Sequence, residues 1–258
     1  LRAPVTRPVA TSFGVMRDRP AVFVRIEDSD GAFGWGEIFA NWPSAGAEHR
    51  ARLLLEDIAD LVLGRGVGAP GELWAGLTRE THVRALQCGE WGPFRQVIAG
   101  LDIAAHDLLA RRAGVPLANM LAPGGAADSV PVYASGLHVS AATDAIAAAR
   151  EAGVRAFKVK IGFDAVRDMA DLRMLCADLG EGEGLMADAN QAWTLSEALR
   201  FVETAGDLGL GWLEEPIGAD APADAWHTLA QASSIPLAAG ENIVGHADFT
   251  RAVQGGAL

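Results

Sequence analysis

Cysteine is scarce in this sequence, with Cys88 and Cys176 the only two among 258 residues. Two isolated cysteines do not make a disulfide framework, and they fit a reducing compartment better than an oxidising one. The sequence opens at Leu1 without a cleavable apolar segment, so nothing in it indicates secretion. We therefore expect a cytoplasmic protein.

Long apolar runs are also lacking. Stretches such as residues 53–55 and 146–149 are far shorter than the roughly 20 residues that a membrane-spanning helix needs, so we expect no membrane partner. Lys and Arg number 21 against 33 Asp and Glu, which leaves a net charge of −12. Because phosphate binding needs clustered positive charge, this balance disfavours nucleic acid as a partner, although a small anionic substrate senses only the local field of its site.

The first region, residues 1–125, predicts an α+β domain. Half of all residues in the sequence are hydrophobic, which is enough for one large domain or two smaller ones. No strand is predicted within residues 2–13. The predicted elements are a β-hairpin formed by residues 21–28 and 32–38 around the turn Asp30-Gly31, and helices over residues 47–63 and 94–113.

The second region, residues 126–258, alternates short β-rich runs with helical runs. This alternation predicts a parallel sheet that is covered by helices. The predicted strands are residues 130–135, 156–161, 184–188, 211–215 and 236–240, and the predicted helices are residues 141–152, 165–179, 195–207, 221–231 and 246–254.

Polar residues stand at the ends of successive predicted strands at a nearly constant step. Lys160, Asp188, Glu214 and Glu241 are separated by 28, 26 and 27 residues. The first strand is followed by residues 136–139, which lack the Gly-rich phosphate loop of a doubly wound sheet. A (β/α) barrel places its chemistry at the C-terminal ends of its strands. We therefore predict an α/β fold with a modified (β/α) TIM-type barrel.

The number of strands is too small for a closed barrel. A complete barrel has eight strands in about 250 residues, whereas the second region has about five strands in half that length. We therefore expect an incomplete barrel, and a sequence that is a fragment or the ordered part of a longer protein.

Asp188, Glu214 and Glu241 are candidate metal ligands. Each ends a different predicted strand, and in a barrel those ends converge on one mouth. Three carboxylates there would repel one another unless a cation lay between them. Oxygen ligands of this kind suit Mg²⁺, with Mn²⁺ as a substitute. The alternative is that each acid is a solvated loop residue or a helix cap, which the regular step disfavours for all three together.

Lys158 and Lys160 lie on one predicted strand, where side chains alternate between its two faces. Phe157, Val159 and Ile161 then face the helices, and both lysines face the barrel interior. Crowding by a second ammonium and by a metal is expected to lower a lysine pKa, which makes that lysine a usable base. The alternative is a solvated edge strand, which fits poorly with βα units on both sides.

Three further residues are candidates for contacts to substrate or to the metal ligands. Asn190 shares a face with Asp188 and could orient ligands or a substrate carboxylate, or else cap the helix that starts near residue 194. Glu215 could hydrogen-bond a lysine or a metal ligand. His138, placed just after the first barrel strand, could touch substrate. The other histidines considered, which we interpret as structural, are His106, His227 and His246.

Several motifs together resemble those of the enolase superfamily, in particular the mandelate racemase subgroup of its mandelate racemase / muconate lactonizing enzyme family. The resemblance covers nearly the whole chain. Residues 34–37 and 100–110 are similar to capping-domain signatures of that family. The strand-end motifs are Lys158-x-Lys160, Asp188-x-Asn190, Trp212-Leu213-Glu214-Glu215-Pro216 and Gly240-Glu241-Asn242.

The resemblance implies an N-terminal capping domain, a modified barrel, and Mg²⁺ held by Asp188, Glu214 and Glu241. It implies that Lys160 removes the α-proton of a carboxylate substrate through an enediolate intermediate, with Lys158 as its electrostatic partner. A substrate-selecting loop near residues 11–19 is also implied. There Arg17, and Arg19 beside it, could bind a distal carboxylate or hydroxyls, or be solvated charges. A homo-oligomer is expected on the same ground.

The implied activity is that of an acid-sugar dehydratase or of a racemase or epimerase, acting on a hydroxy acid or sugar acid. Glu241 as third ligand favours this side of the family over the cycloisomerases, which typically have Asp. The later strands, which would carry the opposing acid or base, are not in the sequence, so the outcome of the reaction stays open. The alternatives are a muconate-cycloisomerase-like or dipeptide-epimerase-like isomerase, and a non-catalytic barrel that binds a metal or an acidic ligand.

Overall fold

The computed structural model describes residues 1–11, 13–122 and 124–256, and the chain divides into two compact units. The first unit contains Leu1–Val9 and Val15–Ser129, and the second contains Ala10–Gly14 and Val130–Leu258. The main boundary therefore falls a few residues after the predicted one, and the short segment Ala10–Gly14 groups with the second unit.

The first unit contains two two-stranded sheets and a set of helices. The sheets pair β1 with β2 and β3 with β4. Its strands are β1 (Arg2–Thr11), β2 (Gly14–Pro20), β3 (Val22–Glu27) and β4 (Phe33–Ile38). Its helices are α1 (Gly46–Leu53), α2 (Ala59–Val62), α3 (Glu72–Cys88), α4 (Trp91–Ala113) and α5 (Leu117–Leu121), with a π-helical segment, Leu54–Ile58, between α1 and α2.

Two expectations for the first unit were wrong. Residues 2–13 were expected to lack a strand and residues 11–19 to form a loop, yet β1 and β2 occupy most of this stretch. In β2 only Met16 and Pro20 are buried, so its charged residues concealed the alternation of a one-sided strand. Helix α3 was not predicted, because its buried face is built largely from small or polar residues such as Gly76, Thr81 and Ala85.

Backbone contact joins strand β4 to helix α4. A Cβ added to Gly36 would lie 1.9 Å from the carbonyl oxygen of Gly100, and one added to Gly34 would lie 2.0 Å from that of Ala104. The amide of Trp35 between them donates to Asp107 Oδ2 at 2.8 Å. The two family-like motifs of the first unit therefore have a packing role, since they let a strand and a helix touch without intervening side chains.

The second unit is a five-stranded parallel sheet in the order β5-β6-β7-β8-β9, with helices between the strands. The predicted α/β class is confirmed, and the sheet matches an incomplete TIM barrel. The strands are β5 (Ala134–His138), β6 (Ala156–Lys160), β7 (Gly184–Asp188), β8 (Leu213–Glu214) and β9 (Leu237–Ala238). The helices are α6 (Ala142–Glu151), α7 (Ala165–Ala177), α8 (Leu195–Ala205), α9 (Ala223–Ala232) and α10 (His246–Gly255).

Strand β5 starts later than predicted. Residues 130–135 were expected to form it, but pairing with β6 begins at Ala134 and continues to His138. The register shifts between Ala134 and Leu137, where Gly136 has a φ of 78°. A bulge of this kind redirects a strand, and it makes His138 the last residue of the strand instead of a loop residue.

The helix-facing side of the sheet forms the core of the second unit. Phe157, Val159 and Ile161 are all buried there, packed with residues of α7 such as Leu172 and Leu175. The predicted alternation along β6 is therefore confirmed on its apolar side. Among the helices that the structure describes, none has the length and hydrophobicity required to cross a membrane.

The contact between α4 and β4 predicts opposite effects for two glycines of the same helix. Gly100→Ala would bring a Cβ to 2.4 Å from the buried Ile38 Cγ1, so we expect it to lower the free energy of unfolding by about 1–3 kcal/mol. Gly92 has nothing within 4 Å of such a Cβ, so Gly92→Ala should leave stability unchanged or raise it by at most about 1 kcal/mol. Urea unfolding measures both; equal stability of the two variants would contradict the packing argument.

Candidate active site

The parallel register of the second unit aligns its strand-end polar residues. Across neighbouring strands, His138 pairs with Lys160, Lys160 with Asp188, and Asp188 with Glu214. Register partners in a sheet project from the same face. The side chains at the ends of β5 to β8 therefore form one row, and Lys158 lies two residues earlier on the same face of β6.

Asp188 is the centre of this row, and its side chain is fully buried. Its Oδ2 accepts a hydrogen bond from Lys160 Nζ at 2.6 Å and lies 3.4 Å from Lys158 Nζ. Its Oδ1 accepts from the backbone amide of Asn190 at 2.9 Å. A buried carboxylate needs such partners, because it has lost its hydration.

Lys158 links Asp188 to Glu214. Its Nζ donates to Glu214 Oε2 at 2.5 Å, and the indole Nε1 of Trp212 donates to the same oxygen at 3.4 Å. The ammonium also lies 5.4 Å from the centroid of the Tyr133 ring, within cation–π range. Two carboxylates and an aromatic face thus surround one largely buried cation.

The pKa of Lys158 reflects both its burial and its carboxylate neighbours. Burial lowers this pKa, but the hydrogen bond to Glu214 and the charges of Asp188 and Glu214 outweigh it, so the pKa is raised above its ordinary value. The expectation from sequence, a lysine pKa lowered by a second ammonium and a metal together, stays a prediction. In the folded protein the carboxylates lie in direct contact with Lys158, and their attraction dominates.

Glu241 lies apart from the Asp188–Lys158–Glu214 group. It is exposed in the loop after β9, where Asn190 Nδ2 lies 3.4 Å from its Oε1. In the described part of the chain, no group of three His, Cys, Asp or Glu side chains is arranged to hold a metal ion. Two of the three acids share a lysine and the third is reached through Asn190, and the metal-binding role expected for them stays a prediction.

The donor set nevertheless fits a divalent cation. Asp188 and Glu214 already share one positive charge, the ammonium of Lys158, and both would be available to a divalent cation. Glu241 offers an exposed carboxylate from the next strand end. Carboxylate oxygens are ligands that Mg²⁺ accepts, together with water.

Glu215 points away from Glu214 and is completely buried. Its two carboxylate oxygens accept from Asn242 Nδ2 at 2.9 and 3.0 Å. The sequence had suggested a lysine or a metal ligand as its partner, and the partner is instead this amide. Burial raises the pKa of Glu215, the Asn242 hydrogen bond opposes this, and the charges of Glu241, Asp188 and Glu214 raise the pKa further. Four acids thus share one electrostatic environment.

Asn190 faces the site and does not cap the following helix. Its Nδ2 is directed at Glu241, and its backbone has a φ of 44°, in the left-handed region. Helix α8 is capped instead by Thr194, in a capping box with Glu197. The helix-cap alternative for Asn190 is therefore excluded.

His138 lies beside Lys160, and Arg17 lies in the other unit. The ring of His138 stacks on Phe163 with centroids 4.3 Å apart, and its Nδ1 contacts Ser140 Oγ at 2.9 Å. Arg17 is an exposed residue of β2 for which the described residues provide no hydrogen bond or ion pair. Contact of either with substrate stays a prediction. The three histidines interpreted as structural, His106, His227 and His246, have contacts within or between helices.

Sequence reasoning missed two residues that organise the loops around the site. The buried Asp168 accepts with Oδ2 from the backbone amides of Gly162 and Phe163, at 2.7 and 2.9 Å, and so fixes the loop after β6. Gln191 accepts with Oε1 from the amide of Ala219 at 2.8 Å, which ties the loop after β7 to the loop after β8. Asp168 acts on backbone five and six residues before it, and Gln191 acts on backbone 28 residues after it, so neither contact follows strand or helix periodicity.

Comparison with known families decides the relationship. Residues 1–122 match the model of the mandelate racemase / muconate lactonizing enzyme N-terminal domain, and residues 138–258 match that of the enolase C-terminal domain-like family. A 3,6-anhydro-alpha-L-galactonate cycloisomerase from Streptomyces coelicolor is 32% identical over 98% of this chain and 69% of its own length. The chain belongs to the mandelate racemase / muconate lactonizing enzyme family of the enolase superfamily.

Solved structures of this family agree with the fold. A mandelate racemase/muconate lactonizing enzyme from Bordetella bronchiseptica has 49% identity and a TM-score of 0.89, covering 93% of this chain and 66% of its own. A racemase from Streptomyces coelicolor with bound magnesium has 32% identity and a TM-score of 0.89, covering 100% of this chain and 71% of its own. This chain therefore spans about two-thirds of the length of these relatives.

Curated relatives in this family act on different acids. They include an L-talarate/galactarate dehydratase and an L-Lys-D/L-Arg epimerase, at 32% and 29% identity over 78% and 95% of this chain. Cycloisomerases, dehydratases and epimerases are thus all found among the family members to which this chain is similar.

The lysines of this family member allow a direct test of the site's geometry, because Lys158 and Lys160 are the only two lysines in the sequence. We expect reductive methylation with formaldehyde to modify Lys160 before Lys158, since their side chains are 22% and 8% exposed. Mass spectrometry of non-tryptic peptides, sampled over time, measures the order. Both lysines should react equally fast in urea, and faster labelling of Lys158 in the folded protein would contradict the structure.

Proposed function

We propose that this chain supplies the metal-binding and proton-abstracting part of an enzyme that removes the α-proton of a small carboxylic acid. A hydroxy acid or sugar acid is the substrate class we infer. The observation that carries the proposal is the pairing of Lys158 and Lys160 with Asp188 and Glu214 at the ends of three adjacent parallel strands. Buried lysines on a central strand are rare unless they are paired or functional.

In this proposal Asp188, Glu214 and Glu241 hold Mg²⁺. When bound, the cation supplies positive charge that stabilises the negative charge developing on the substrate carboxylate as its α-proton leaves. The magnesium in the Streptomyces coelicolor racemase structure supports this assignment. Asn190, whose side chain contacts Glu241 and whose backbone amide donates to Asp188 Oδ1, would orient two of the three ligands.

The two lysines have different roles in the proposal. Lys160 is the more exposed of the pair and stands at the strand end, where a substrate can reach its Nζ, so we assign it as the base that accepts the α-proton. Lys158 is deeper and its Nζ donates to Glu214, so we assign it as the electrostatic partner of Lys160. As a fixed cation, Lys158 would attract the substrate carboxylate and hold Glu214 in place.

The named activities of the relatives support a sugar acid as the substrate. The cycloisomerase and the dehydratase are both named for acids of the galactose type. In such acids the carbon next to the α-carbon carries oxygen, and that oxygen can leave once the α-proton has been removed. We therefore place loss of a β-oxygen ahead of simple inversion as the outcome.

A second candidate is an isomerase of the epimerase type, acting on an acid that has no leaving group at its β-carbon. The L-Lys-D/L-Arg epimerase of Methylococcus capsulatus, 29% identical over 95% of this chain, supports it. A non-catalytic barrel is disfavoured, because a binding module has no need to keep two lysines within hydrogen-bond distance of two carboxylates.

Lys160→Ala and Lys160→Arg in the intact protein test the base. Both should lower α-proton exchange with deuterated water by at least about a hundredfold, because neither side chain can accept a proton at neutral pH. The measurement is NMR of a panel of sugar acids incubated with Mg²⁺. Exchange that persists in the arginine variant, which keeps the positive charge beside Asp188, would reject Lys160 as the base.

Asp188→Asn tests the metal site. We expect it to weaken Mg²⁺ binding more than about tenfold, because it removes the carboxylate charge at the centre of the site. Glu181→Gln is the matched control, since it removes one negative charge from an exposed turn before β7. Isothermal titration calorimetry compares the two. Equal affinity for Mg²⁺ in both variants would show that Asp188 is not a ligand.

A further inference from the structure

Glu214 ends β8, and Glu215, which follows it, has different surroundings. Glu214 is paired with Lys158, whereas Glu215 is 0% exposed and gives both its oxygens to Asn242. A fully buried carboxylate that faces a neutral amide is costly to maintain. Its persistence in the fold points to a positional role.

The backbone of Glu215 is held on both sides. Its amide donates to the carbonyl of Ala238 on β9 at 2.9 Å, and its carbonyl accepts from the amide of Gln191 at 2.7 Å. It also has a φ of 41°, which is disfavoured for a residue with a side chain. Among the residues described, only Asn190, Gln191 and Glu215 combine a side chain with positive φ. This strain is concentrated at the ends of β7 and β8.

Asn242 lies in the loop that carries Glu241. Within that loop the amide of Ile243 donates to the carbonyl of Gly240 at 3.0 Å, which closes a short turn around the two residues. Glu241 itself is exposed and contacts Asn190 over 3.4 Å. The firm attachment of this turn to the sheet is therefore the contact between Asn242 and Glu215.

We propose that Glu215 is a positioning residue: through Asn242 it fixes the turn that presents Glu241 to a divalent cation, and it does not bind the cation itself. The inference rests on the proposed function, in which Glu241 is the third ligand. Glu215 is unsuited to be a ligand, because both of its oxygens are already engaged and none of its surface is open.

The test is a double-mutant cycle with Mg²⁺ alone as the probe. Glu215→Gln removes one acceptor oxygen and Asn242→Ala removes the donor, so each should weaken Mg²⁺ binding about tenfold. The double variant should be no weaker than either single one, because both changes break the same contact. Calorimetric titration measures the affinity, and thermal unfolding without metal verifies that each variant is folded.

A charge-conserving exchange provides a rescue. Glu215→Gln combined with Asn242→Asp reverses donor and acceptor while the total charge stays the same, and it should restore Mg²⁺ affinity to within about threefold of wild type. Val244→Ala, an exposed change in the same loop, is the matched control and should leave the affinity unchanged.

Two results would overturn the inference and separate it from the proposed function. If Asn242→Ala leaves the Mg²⁺ affinity unchanged while Glu215→Gln lowers it, the effect of Glu215 is purely electrostatic. That result would refute the positioning role and leave the proposed function standing. A wild-type protein that does not bind Mg²⁺ would refute the proposed function and this inference together.

Discussion

The buried charge of Asp188 is the constraint on which the site depends. A carboxylate without exposure to water is tolerated only when cations and hydrogen-bond donors surround it. Lys160, Lys158 and the amide of Asn190 meet that need, and each comes from a position that parallel pairing of β6 with β7 sets. Lys158 in turn holds the carboxylate of Glu214 by a hydrogen bond. The burial of Asp188 thus links the pairing of the strands to the positions of the charged side chains in the site.

The two faces of each strand have opposite energetic roles. On β6, Phe157 and Val159 face the helices and are completely buried, and burying such side chains contributes about 1.5–3 kcal/mol each. The opposite face carries Lys158 and Lys160, whose desolvation works against folding. The apolar face therefore stabilises a strand that its polar face would weaken. Strand alternation is what allows a central strand of the sheet to display two lysines.

The sequence was sufficient for the parts of the structure that follow local periodicity. Alternation along β6 and the constant step between strand ends predicted the parallel sheet and the row of polar residues. It was not sufficient for β1 and α3, whose weak amphipathic patterns are stabilised by pairing and packing with distant residues. Nor could it show that Asn242 is the partner of Glu215 or that Gln191 fixes a loop, because those contacts join different βα units. The contact of Asp168 with the loop before its own helix is local, but no strand or helix periodicity indicates it.

Backbone strain is concentrated at the strand ends that carry the site. Asn190, Gln191 and Glu215 adopt the left-handed region at a cost of order 1–3 kcal/mol each, and all three lie where β7 and β8 give way to loops. Such conformations persist only when surrounding contacts enforce them, as the bonds from Gln191 to Ala219 and from Glu215 to Asn242 do here. Packing and hydrogen bonds in the second unit therefore offset the strain of these loop residues. A charged, preorganised site requires strand ends that are held in this way.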